Sequence, residues 1–142
     1  RSSDLTPSAE IALRLTEVAA KLDYTAIGII TSDIGLDECS TVGKSTITMR
    51  TGNDTRTVTI DPTQHGIHHT LDDIKGGSAI ENAALFKQLV QNKAIDHPIM
   101  QLIVFNVAVM RHLLTPDTSI DDYMVACNTH ITSGVFASSL LF

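Results

Sequence analysis

The sequence predicts an α+β domain with an N-terminal helix, a small antiparallel sheet of about three strands, and three C-terminal helices including one central apolar helix. Three observations predict it. Residues 24–60 carry β-branched runs and an alternating pattern around Gly52-Asn53-Asp54. From Thr70 onward, apolar residues recur three and four apart, behind helix-start signatures. The 142 residues are 43% hydrophobic and 18% charged, which supplies a real core and is too apolar for a disordered tail. A chain of this length buries roughly two thirds of its unfolded surface, so it needs neither disulfide nor metal to fold. A single domain over residues 1–142 is expected.

The first helix is predicted from Thr6 as a cap and Pro7 at the first helical position. Ile11, Leu15, Val18 and Leu22 then form one apolar stripe, with Glu10, Arg14, Glu17 and Lys21 elsewhere, so the stripe is expected to face the core. Tyr24 to Thr31 reads as a strand. Ser45 to Thr51 and Thr55 to Ile60 read as a hairpin. A turn centred between Asn53 and Asp54 sets Ile47 against Ile60, Met49 against Val58, and Thr48 against Thr59.

Thr70-Leu-Asp-Asp73 looks like a capping box for one short turn stopped by Gly76 and Gly77, and Ser78-Ala-Ile-Glu81 opens a true helix. Pro98 begins the next helix, which runs to about Leu114 and is apolar nearly all round. Such a helix must be covered on most sides. Gln101 and Asn106 interrupt it, and a buried amide there would set register against a neighbour. Ser119-Ile-Asp-Asp122 opens the last helix, with Gly134 as its stop. Val135, Phe136, Leu140, Leu141 and Phe142 add more apolar surface than so small a domain readily buries, and are expected to form an interface.

Charge narrows the partners. Sixteen acidic and ten basic residues leave a net charge of −6, which disfavours a polyanion-binding surface. Lys44, Arg50 and Arg56 on the hairpin face are the one place where nucleic acid would bind, and with no Trp this ranks third among functions. No stretch reaches the ~18 apolar residues of a membrane span. The start Arg-Ser-Ser-Asp suggests a processed chain or a fragment of a larger protein, and a cytoplasmic setting is the expectation.

The most suggestive chemistry is His65-Gly-Ile-His68-His69 beside Asp61, Asp72 and Asp73, because imidazoles at this spacing can share a metal that carboxylates complete. Gly66 and the preceding Asp61-Pro62 make the segment a loop, however, and favour solvated histidines. Val42-Gly43-Lys44-Ser45 matches the end of a phosphate-binding loop, but Glu38 stands where the first glycine is required and a strand follows instead of a helix. Cys39 has Asp37 and Glu38 beside it, which raises a thiol pKa and argues against a nucleophile. Cys127 falls on the apolar stripe of the last helix. Ser119, Asp122 and His97 are read as helix caps, and His112 as a favourable charge near a helix C-terminus. With no catalytic set and no cofactor indicated, the reading that follows is a non-catalytic assembly or adaptor domain, acting as a homo-oligomer or on a partner protein. The alternative is a small metal- or ligand-binding enzyme using the His65/His68/His69 loop.

Overall fold

In the computed structural model, residues 9–22, 24 and 26–139 are described, and they form an α+β fold of five α-helices and one three-stranded antiparallel sheet. Two compact units are present, one ending at His68 and one starting at His69. No described helix is long and apolar enough to cross a membrane.

The first unit holds α1 (Ala9–Lys21), β1 (Ala26–Ser32), β2 (Ser45–Thr51), β3 (Asp54–Ile60) and a 3-10 turn over Pro62–His65. The strands lie in chain order, with β2 central. Ser45 pairs with Ser32 on one side and Ile60 on the other. Ile47 lies opposite Val58 rather than Ile60, and Thr48 opposite Thr57. The hairpin therefore turns between Gly52 and Asn53, where Gly52 adopts φ 58°, as suits the first position of a two-residue hairpin turn. The expected register was displaced by two residues, which leaves the faces unchanged. Ile47 and Ile60 are still both buried.

Helix α1 packs on β1 and β2 through a different stripe from the one its large side chains mark. Ala12, Thr16 and Ala19 are buried, whereas Ile11, Leu15, Val18 and Leu22 are exposed. Small residues one turn apart let the helix approach the sheet closely. The Thr16 hydroxyl is satisfied by donating to the Leu13 carbonyl at 2.6 Å. The expected cap at Thr6 and Pro7 lies outside the described residues.

The second unit holds α2 (Ala79–Gln91), α3 (Pro98–Leu114), α4 (Ile120–Ser133) and α5 (Val135–Ser139). Helix α2 opens with a complete capping box in which Ser78 accepts from the Glu81 backbone and Glu81 reaches back to Ser78. His97 caps α3 by accepting from the Ile99 N–H at 3.2 Å, ahead of Pro98. Ser119 caps α4, which ends at Gly134 with φ 83°. The core joins Leu89, Val90, Met100, Val104 and Ile131. Phe136 packs against that cluster, while Val135 stays exposed and residues 140–142 lie outside the described set. The central helix is less enclosed than its composition suggests, because Val107 and Met110 face outward. Asn106 donates to the Leu102 carbonyl of its own helix at 3.0 Å, and Gln101 meets His69 Nε2 at 2.7 Å.

Candidate active site

Residues 33–44 link β1 to β2 and form the most tightly braced loop of the first unit. Its entrance is held by Ser32, whose hydroxyl accepts from Leu36 N–H at 2.9 Å while its carbonyl accepts from Gly35 N–H at 3.1 Å. Gly35 takes φ 80° to make that reversal. Asp33 N–H donates to the Lys44 carbonyl at 2.9 Å, so the two arms stay paired one step beyond the sheet. At the exit, the Ser40 N–H donates to Ser45 Oγ at 2.8 Å, and the Ser40 hydroxyl accepts from Val42 and Gly43 N–H at 2.9 and 3.0 Å. Cys39, Ser40 and Thr41 are fully buried.

Between these two anchors sit Asp37 and Glu38. Asp37 is exposed and Glu38 half-buried, and their carboxyls share a hydrogen bond. That bond holds Asp37 below the usual carboxylate range and pushes Glu38 up to about 7, with burial and the Asp37 charge adding to the rise. A cation beside both carboxyls would relieve that conflict. Within the same loop the buried Thr41 hydroxyl has no hydrogen-bond partner.

The neighbouring thiol is fully buried. Burial and the Glu38 charge push Cys39 up to about 11, and burial also raises Cys127. Lys44 belongs to no helix-terminal phosphate cradle, since β2 follows it directly and its ammonium pairs with Asp61 at 3.3 Å.

Among the described residues, no three His, Cys, Asp or Glu side chains gather as a metal shell, and of the alternative ligand set His65 and His68 belong to the first unit and His69 to the second. Two of the three carboxylates near these histidines, Asp61 and Asp73, are engaged in their own turns. Asp61 accepts from Thr63 N–H at 3.0 Å and Thr63 hydroxyl at 2.6 Å, and Asp73 accepts from both Thr70 groups at 2.7 Å. His65 ends the 3-10 turn, while His69 is held by Gln101. On the hairpin, Arg50 turns back to the Gly52 carbonyl and Arg56 to the Met49 sulfur. A groove of about 570 Å³ between α3, α4 and α5 is walled by Ile103, Val107, Cys127 and Phe136, with Arg111 stacked over Tyr123 at 5.6 Å. No carboxylate lines it, and burial raises the pKa of its one thiol, Cys127.

Reading the sequence alone did not single out Asp37 and Glu38 as a candidate site, treating them only as neighbours of Cys39. The available signal was an acidic pair enclosed by glycines and hydroxyl residues, from Gly35 to Ser45.

Residues 6–136 match the family described as glycosyl transferase family, a/b domain. Anthranilate phosphoribosyltransferase from Caldicellulosiruptor saccharolyticus is 31% identical over 106 residues, which is 75% of this chain and 31% of that protein. The Schizosaccharomyces pombe enzyme of the same name is 29% identical over 128 residues, covering 86% of this chain and 36% of the relative. The solved anthranilate phosphoribosyltransferase from Saccharomyces cerevisiae in complex with PRPP and Mg superposes with a TM-score of 0.78 at 26% identity, over 89% of this chain and 37% of that one. Its complex with 4-fluoroanthranilate gives 0.80 over the same shares. The chain thus spans about a third of the length of the curated relatives it matches. These relatives are transferases, which overturns the expectation of a non-catalytic adaptor. The apolar surplus behind that expectation is no evidence against catalysis. With a match running along nearly its whole length, this chain belongs to the glycosyl transferase family, a/b domain.

Proposed function

We propose that this chain supplies the Mg2+- and diphosphate-handling loop of a phosphoribosyltransferase that moves the phosphoribosyl group of PRPP onto anthranilate. The observation that carries it is the Asp37–Glu38 pair, side by side on a loop pinned at both ends. Its support from relatives is their shared name and the yeast complex with PRPP and Mg.

The donor set fits the ion. Mg2+ prefers oxygen ligands and is commonly held by one or two carboxylates, with substrate phosphates and water completing its shell. Asp37 and Glu38 are the two that would hold it, and a pair without a third protein ligand agrees with the lack of any larger cluster among the described residues. Bound there, the ion would neutralise charge on a diphosphate leaving group. The transfer breaks the ribosyl C–O bond to diphosphate and forms a C–N bond to the anthranilate amine, which gives up a proton. Chemistry of this kind runs on positioning and charge stabilisation, so it calls for no nucleophilic thiol or hydroxyl.

Calorimetric titration of PRPP into the full chain, with and without Mg2+, tests the reading. Binding should require Mg2+ and be lost when Asp37→Asn and Glu38→Gln are combined. PRPP binding that ignores both the ion and the substitutions would overturn it.

A further inference from the structure

The acidic pair is placed by a residue that cannot itself reach a ligand. Ser40 is fully buried and lies two positions after Glu38. Its hydroxyl gathers the N–H groups of Val42 and Gly43, and its own N–H is tied to Ser45 Oγ. Ser45 is the first residue of the central strand and is paired on both sides, to Ser32 and to Ile60. Ser32 in turn holds Leu36, the residue just before Asp37. A chain of serine contacts therefore runs from one end of the acidic pair, through the sheet, to the other end.

We infer that Ser40 is a positioning residue for cation capture, fixing the backbone of residues 37–40 so that the Asp37 and Glu38 carboxyls are presented together before the ion arrives. This rests on the reading of Asp37 and Glu38 as the Mg2+ carboxylates. The physical argument is preorganisation. Glu38 reaches the sheet on its C-terminal side through Cys39 and Ser40, so the Ser40 contacts decide how many conformations the pair explores. Gly43 closes the same turn tightly, since a Cβ there would stand 3.1 Å from Ile34 Cγ2. Removing the Ser40 hydroxyl frees two N–H groups at once and releases the exit arm, leaving both carboxyls chemically intact but no longer held together. Partners one step behind a metal's ligands commonly change its affinity by about 10- to 100-fold when removed.

Mn2+, followed by the electron paramagnetic resonance signal of the free ion, is the probe on the full chain. Ser40→Ala should weaken Mn2+ binding about tenfold or more while far-UV circular dichroism stays that of the wild type. Ser32→Ala, which loosens the entrance only, should weaken it less. The combined Asp37→Asn and Glu38→Gln variant serves as the reference for complete loss. Wild-type Mn2+ affinity in Ser40→Ala, with loss in the carboxylate variant, overturns the positioning role and leaves the carboxylate reading standing. Wild-type affinity in the carboxylate variant overturns both. If Ser40→Ala does not fold, Ser45→Ala decides, because it cuts the Ser40 N–H tie and spares the hydroxyl's two bonds. Unchanged Mn2+ binding there counts against the inference.

Discussion

Asp61 illustrates how far a single carboxylate is defined by what surrounds it. The Thr63 hydroxyl and N–H, with Lys44 behind them, hold its carboxyl below the usual range. A folded pKa below the unfolded one means that its contribution to stability is complete above the ordinary carboxylate pKa and fades as pH falls through the folded value. Asp61→Asn should therefore lose less stability than the wild type on acidification from about pH 5 to about pH 3, as read by urea midpoints. Cys39 and Cys127 provide a second check. A chromogenic thiol reagent should modify half-buried Cys127 in the folded chain and reach Cys39 only after denaturant is added. Two reactive thiols without denaturant would contradict the burial of Cys39. The upward direction of the Cys39 pKa was legible in the sequence from its acidic neighbour Glu38, although burial, the larger cause, was not. The bracing of the loop that carries Glu38 was not legible either, since it depends on Ser32 and Ser45 meeting across two strands.

At the level of elements, what could be read was whatever is completed within four residues. The box at Ser78, the Ser119 and His97 caps and the Gly134 stop are all local hydrogen-bond patterns, and the helices start and end where those residues place them. Ser78→Ala should cost about 1 kcal/mol of stability, measurable by denaturant unfolding, with Glu81→Ala costing part of the same bond pair. The two errors concerned faces and registers. On α1, helical spacing admits Ile11-Leu15-Val18-Leu22 and Ala12-Thr16-Ala19 alike, and closeness of packing rather than side-chain size selected the second. On the hairpin, the choice of turn pair set the register, and the φ that glycine accepts put Gly52 first.

For the molecule as a whole, each unit has its own buried residues, Ile47 and Ile60 in one and Phe105, Val104 and Met100 in the other. Phe105→Ala should cost about 3–5 kcal/mol. Hydrogen exchange should then speed up over residues 98–133 and leave residues 45–60 as they were. Protection lost equally in both would show that the two cores unfold as one. The α+β class was plain from composition and periodicity, whereas membership of a transferase family was not, because the sequence was searched for nucleophiles and bases and those residues mark no such family. The strand order β1-β2-β3 has a kinetic corollary. Each strand meets its neighbour in sequence, so the hairpin around Gly52 closes the shortest loop, while residues 33–44 close the longest in the sheet and bear the larger closure entropy. The acidic pair should therefore be organised late, after the transition state for folding has been crossed. Substitutions at Ser40 or Gly43 would then accelerate unfolding and leave the refolding rate nearly untouched in stopped-flow experiments.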